Sequence, residues 1–328
     1  MMPVSQIVPR RKDPPRHAYV HVPFCRHRCG YCDFTLVAGR DDLIDRYFEA
    51  LALELERVGG RLAFDTLYVG GGTPSHLGPD GLRRLFDHLL PWLVPSTDAD
   101  GSPEVTVEAN PLDVTADFVA AALACGVTRV SLGAQSLDMA TLRTLDRDHE
   151  PSDVRHGVDR LLAAGMLVNV DLMIAAPGQS LADVERDLDR FVELGCGHVS
   201  VYCLTWEKGP AFESARRRGA LRPLDEVQER RLFEAAIDRL EVAGYEHYEV
   251  SNFARPGRRC RHNEAYWDCR PWEGFGPGAA RFDGRTRITN HRGVVTGVDR
   301  RLSGRAPQGA RDRWSDEVAA RDRVVVGR

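Results

Sequence analysis

Cys25, Cys29 and Cys32 lie within eight residues of one another, in a C-x3-C-x2-C run that follows directly on a short apolar stretch. Thiolates at this spacing can wrap one compact inorganic core, as an iron–sulfur cluster requires, and three ligands to a four-iron cube leave one iron open. A tetrahedral zinc site would need a fourth ligand, from His21 or His27. Three unrelated surface thiols are the bland alternative. The other cysteines stand apart. Cys125, Cys196 and Cys203 read as small buried thiols. Cys260 and Cys269 flank His262, but C-x8-C is a poor zinc spacing.

Other residues offer partners for a small ligand. Gly70-Gly71-Gly72-Thr73-Pro74 would let backbone approach a ligand closely, or would simply make a tight turn. Glu108, in Glu108-Ala-Asn-Pro111, presents a carboxylate to a cation or to water. Arg147 stands between Asp146 and Asp148 and reads equally as a ligand contact or as a surface charge.

The elements that must position these residues repeat along the chain. Short β-rich runs at Ala18 to Val22, Thr66 to Val69, Val105 to Ala109, Arg129 to Leu132, Val168 to Ile174 and Val199 to Leu204 alternate with segments of helical period. This alternation predicts an α/β fold of parallel βα units, an incomplete (β/α)6 barrel resembling a TIM barrel, with chemistry at the carboxyl ends of the strands. Helices are expected at 80–90, 115–125, 153–165, 181–194 and 226–243. Another is built on the stripe Ile44, Tyr47, Phe48, Leu51, Leu55 and Val58, leaving Asp45, Glu49, Glu54 and Arg57 to water.

The expected organisation is a tail at 1–16, the barrel at 17–245 and a short extension or lid at 246–296. An Arg- and Asp-rich stretch follows at 297–328, whose apolar residues Val324, Val325 and Val326 come at the end, and poor packing is expected there.

Composition bounds the rest. With 43% hydrophobic and 28% charged residues, the 328-residue chain is neither disordered nor fibrous. A net charge of −4 gives no overall positive field for nucleic acid, and of 44 basic residues only Lys12 and Lys208 are lysine. No apolar run approaches the roughly 18 residues of a membrane span, and Met1 to Arg16 lacks an apolar signal core. A cytoplasmic protein with reduced thiols is expected.

The cysteine spacing, with Tyr31 just before the third thiol, resembles the radical S-adenosylmethionine (SAM) superfamily. The wider string Tyr19-Val-His21-Val-Pro-Phe-Cys25, with Gly70 to Pro74, Glu108, Gly133-Ala-Gln135 and Asp171-Leu-Met, resembles its HemN/HemW branch across about residues 17 to 282. That branch contains oxygen-independent coproporphyrinogen III oxidases and heme chaperones. The resemblance implies a 4Fe–4S cluster on Cys25, Cys29 and Cys32. It also implies SAM contacts from Tyr19, Tyr31, Gly71, Gly72, Thr73, Glu108, Gln135, Arg147 and Asp171, and cleavage of SAM by an electron from the cluster.

Phe34 stands where the oxidases carry a further cysteine, and only 16 residues precede the first strand, so the resemblance favours the heme-chaperone side. So does His262-Asn263-Glu-Ala-Tyr266-Trp267, the branch's HNxxYW signature, in which His262 is a candidate heme ligand or a structural corner. The partners implied are heme, an apoprotein that accepts it and an electron donor, with a second copy of the chain a further candidate. Oxidative decarboxylation of coproporphyrinogen III is the alternative function, and a zinc-binding barrel without radical chemistry is a third. Two departures from the branch stand out. Ile174-Ala175-Ala176 replaces its usual aromatic, glycine and leucine, and the sequence ends at Arg328, about where the branch's C-terminal helical domain would begin.

Overall fold

Alternation of side chains along six strands builds the centre of the molecule. The strands are β1 (His17–Val22), β2 (Thr66–Gly71), β3 (Glu104–Ala109), β4 (Arg129–Gln135), β5 (Leu167–Ile174) and β6 (His198–Cys203). Val20, Val69, Val107, Val130, Val170 and Val199 point outward into the helical layer and are fully buried. The residues between them are polar and face inward. The computed structural model describes residues 14–313, apart from 97–101, 208, 210, 306 and 307.

The six strands pair in parallel and in chain order, β1 with β2 and so on to β6. The expected (β/α)6 arrangement is therefore present. Helices α1 (Ile44–Glu56), α2 (Gly78–Leu89), α3 (Ala116–Ala124), α5 (Pro151–Ala163), α6 (Leu181–Glu193) and α8 (Glu226–Val242) fall where helical period puts them, and α4 (Met139–Thr144) is a short addition. Two of the starts carry capping boxes: Ser180 accepts from the Asp183 amide at α6, and Asp225 from the Gln228 amide at α8.

The region after 245 forms the edges of the sheet, extending it on both sides. On the β6 side, β7 (Glu246–His247) pairs with β8 (Asn252–Ala254), itself antiparallel to β6. On the other side β9 (Trp272–Phe275) pairs in parallel with β1. An antiparallel run of β10 (Ala280–Phe282), β11 (Thr286–Asn290) and β12 (Gln308–Arg313) then completes a 12-stranded sheet. α7 (Ala211–Arg217) and α9 (Arg261–Trp267) are further short helices that periodicity did not reveal.

Among the described residues of the stretch from 297, the first turns are better packed than expected. α10 (Val294–Leu302) lies against α1 and buries Arg301, whose guanidinium meets Glu54 at 2.6 Å. Glu54 therefore does not face water. It is 6% exposed and also accepts from Asn290 Nδ2 and the Gly276 amide. Heptad-style reading of α1 could not foresee a cation arriving from 247 residues away. Val324 to Val326 lie outside the described residues.

Candidate functional site

Inward-facing residues of β2 to β6 and the loop after β1 enclose one cavity of about 680 Å3. Cys25, Cys29 and Cys32 line it together with Tyr31, Gly72, Thr73, Glu108, Gln135, Arg147 and Asp171. Ten of the residues singled out in the sequence thus meet in one space, as parallel strands with a common carboxyl mouth require. Tyr19, Gly71 and His262 are not on its wall.

The cysteine loop is held from below and above. Its Cys32 amide donates to Cys29 O at 3.1 Å, and Phe24–Cys25 pairs in parallel with Val37–Ala38. α7 closes over it, with the Phe212 amide on Gly30 O and the Phe212 ring seated where a side chain at position 30 would stand. Arg147 is not a free surface charge: it donates to Gly133 O at 2.8 Å and to Cys29 Sγ at 3.4 Å. Burial pushes the Cys25 thiol up to about 12, with the Thr73 hydroxyl 3.1 Å away partly opposing it. A thiol so placed stays protonated in water and would release its proton only as a metal takes the sulfur.

The two histidines offered as a fourth zinc ligand are already engaged, His21 at both ring nitrogens and His27 at one. His21 uses Nδ1 on the Tyr19 hydroxyl and Nε2 on Thr35 O, and His27 Nε2 meets Asp146. Cys260 Sγ lies on Glu104 and Cys269 Sγ on Trp267 O, so they do not converge on a shared centre. The thiols lining the cavity, with a guanidinium donating to one sulfur, fit a cluster that is larger than a single ion and anionic.

Opposite the thiols stand two carboxylates. Glu108 accepts from the Tyr68 hydroxyl and the Gly71 amide, each at 2.9 Å. Asp171 accepts from Asn169 Nδ2 at 2.8 Å and Ser131 Oγ at 3.4 Å. Burial, with the neighbouring Asp171 charge, raises Glu108 to about 7, and burial raises Asp171 to about 6 despite its hydrogen bonds. Two carboxylates sharing an enclosed space suit a ligand carrying positive charge, and SAM brings a sulfonium and an ammonium.

The glycine loop is packed tightly against its neighbours. A side chain at Gly71, at φ 117°, would strike the His21 ring, and one at Gly72 would strike the Phe24 backbone. The close approach is therefore by β1 and the cysteine loop. The Gly72 and Thr73 amides donate to Val22 O and Phe24 O and bind the two loops together. Tyr19 packs between His21 and Tyr68, supporting the wall from behind.

Sequence reading missed a polar floor deeper in the cavity. Asn169 contacts Ser131, Ser200 and His198, and His198 Nε2 meets the Tyr248 hydroxyl at 2.8 Å. The signal was present as period two: Arg129, Ser131; Asn169, Asp171; His198, Ser200, Tyr202 interrupt apolar strands at alternate positions.

His262 lies at the other end of the barrel, beside the amino ends of β2 and β3. Its Nδ1 is 2.8 Å from Thr66 Oγ1, which also meets His17 Nδ1, and its amide donates to Glu104. The ring is 2% exposed, burial holds its pKa down at about 3, and Nε2 has no hydrogen-bond partner. The HNxxYW segment is thus a plug. Glu104 takes the Arg261 and His262 amides at the start of α9, and Arg129 joins Glu104 to the carbonyls of Arg258 and Arg259.

A parallel α/β barrel with three thiols and paired carboxylates at its carboxyl mouth defines a radical SAM protein, and the Radical SAM superfamily model matches residues 19–191. The chain is 44% identical over 286 residues to the heme chaperone HemW of Mycobacterium tuberculosis, spanning 84% of this chain and 72% of that one. It is 34% identical over 279 residues to the HemW of Bacillus subtilis, with 84% and 73% covered. The chain belongs to the radical SAM superfamily and, within it, to the HemW family. Among solved structures, the coproporphyrinogen III oxidase HemN of Escherichia coli superposes with a TM-score of 0.82 over 99% of this chain and 77% of that one. At 21% identity that likeness shows the fold. Among the described residues no helix is long and apolar enough to cross a membrane.

Proposed function

We propose that this protein is a radical SAM heme chaperone of the cytoplasm, which binds heme and passes it to an apoprotein. The observation that carries the radical SAM half is the meeting of Cys25, Cys29 and Cys32 with Glu108 and Asp171 in one cavity. Cys25, Cys29 and Cys32 would hold the 4Fe–4S cluster. Glu108 and Asp171 would neutralise the cationic groups of SAM, with Tyr31, Gly72, Thr73, Gln135 and Arg147 around it. The cluster and SAM, when bound, supply one-electron chemistry. Arg147 holds the Cys29 sulfur by a charged hydrogen bond, and α7 is tied to the loop through the Phe212 amide on Gly30 O.

The heme half rests on the HemW relatives and on His262. A neutral imidazole whose Nδ1 is engaged by Thr66 presents its Nε2 lone pair, the atom an axial ligand needs. That nitrogen is buried in the plug, so a heme would meet it only with α9 displaced from the barrel end. Heme titration into the cluster-loaded protein, followed by Soret absorbance, tests the reading. Binding to the natural protein, with an altered spectrum and weaker affinity in His262→Ala, is expected. No binding at all sinks the chaperone reading, and identical titrations leave His262 as a plug residue. Formation of protoporphyrinogen IX from coproporphyrinogen III would make the protein an oxidase instead.

A further inference from the structure

Beside the cysteine loop the surface carries a second concavity, a groove of about 460 Å3 that the site described above does not use. The loop contributes Arg28, Phe34 and Leu36 to it, and the start of α10 contributes Arg292 and Val295. Phe34, two residues beyond Cys32, is 66% exposed. Asp33, Phe34, Leu36 and Arg292 line both this groove and the cavity holding the three cysteines. One layer of side chains therefore separates the groove from the thiols.

The rim is cationic on a chain whose net charge is −4. Arg28 donates to the carbonyls of Cys32, Phe34 and Leu36, and among the described residues no carboxylate pairs with it. Its charge is thus fixed in place and left for a partner. Arg292 is anchored on Thr35 Oγ1 and Asp33 O, with the Asp33 carboxylate at 3.6 Å, and its side chain is 67% exposed.

We propose that this groove docks the protein that reduces the cluster, a small one-electron carrier with an acidic rim around the exposed edge of a flavin or iron–sulfur centre. The proposal rests on the cluster reading above. One electron leaves the carrier's centre and enters the cluster; no bond is made or broken and no proton moves. Arginines around an exposed aromatic supply what such an encounter needs, attraction at long range and a desolvated contact at its centre. Arg292 comes from the extension beyond the barrel, just before α10, so the groove lies between the cysteine loop and that extension.

The test uses the cluster-loaded protein and a flavodoxin, an acidic flavin protein, as the probe. Its Kd is measured by calorimetry at low and high salt, and cluster bleaching is followed with reduced flavodoxin and separately with dithionite. In Arg292→Glu and Phe34→Ser, flavodoxin binding and flavodoxin-driven reduction should each weaken by about tenfold or more at low salt, since rim charges act mainly on encounter. Dithionite reduction should be unchanged, and Arg292→Lys should recover most of the binding. Equal Kd and rates across the variants overturn the proposal, as does a parallel loss of dithionite reduction, which would mean a disturbed loop. Loss of heme binding in Arg292→Glu with flavodoxin unaffected would assign the groove to heme carboxylates and overturn it too. The cluster reading fails separately, if the natural protein takes up no iron and sulfide.

Discussion

The two ends of the barrel are built from the same strands and treat polar groups in opposite ways. At the amino end Glu104 collects the amides of Arg261 and His262 and the guanidinium of Arg129, and among the described residues of the plug His262 Nε2 is a buried side-chain nitrogen without a partner. At the carboxyl end the thiols face a cavity, Glu108 and Asp171 are lifted toward neutrality, and Gln135 and Ala175 sit at φ 65° and 62°, in the left-handed region. The amino end is satisfied by the protein itself. The carboxyl end holds groups whose partners must come from elsewhere, and stability is given up there for binding.

The sharpest way to separate the ends is to remove one anchor from each. Cys29→Ala should abolish the iron–sulfur absorbance of the reconstituted protein while leaving its denaturant midpoint nearly unchanged; an intact spectrum would break the cluster assignment. Glu104→Ala should do the reverse. Arg129, 2% exposed, loses its carboxylate, and urea unfolding should show a loss of about 3–5 kcal/mol with the cluster spectrum retained. A loss below about 1 kcal/mol would mean that the plug is not what stabilises that end.

Next in size is the pH response of the carboxyl mouth. Glu108 and Asp171 have folded pKa values raised to about 7 and about 6, so their contribution to stability is full at pH below about 4 and is lost as pH rises through 6 to 7. A cation favours the ionised carboxylates, so SAM affinity measured by calorimetry should rise from pH 5 to 8. Glu108→Gln should weaken SAM by about tenfold and flatten that rise. An unchanged profile would remove Glu108 from the site. The smallest effect is at Ala175, where the branch's usual glycine is missing. Ala175→Gly should relieve left-handed strain and raise stability by about 0.5–1 kcal/mol, or roughly 1–3 °C in a thermal scan. A lower Tm would show that the alanine methyl packs better than the backbone suffers.

Much of this was legible in order along the chain. Six strands, six of the helices and the cysteine loop follow from period and spacing, because a side chain's face is set by its neighbours two, three or four residues away. Glu54 and His262 were not legible. Glu54 has the sequence environment of a solvent residue, and only the docking of α10 turns it into a buried partner for Arg301. His262 carries a ligand's chemistry in a segment rich in aromatics, and nothing local says which end of the barrel that segment closes.

The amino-acid sequence by itself determined the alternation of strands and helices, the thiol spacing and the carboxylates at strand ends, all of them short-range properties. Tertiary structure alone decided that Glu108 and Asp171 share one enclosure, that Tyr19 and Gly71 support the cavity from behind, and that α9 plugs the opposite end. These are contacts between residues tens to hundreds of positions apart, and their energies depend on burial and on the order in which strands pair, which no local pattern encodes.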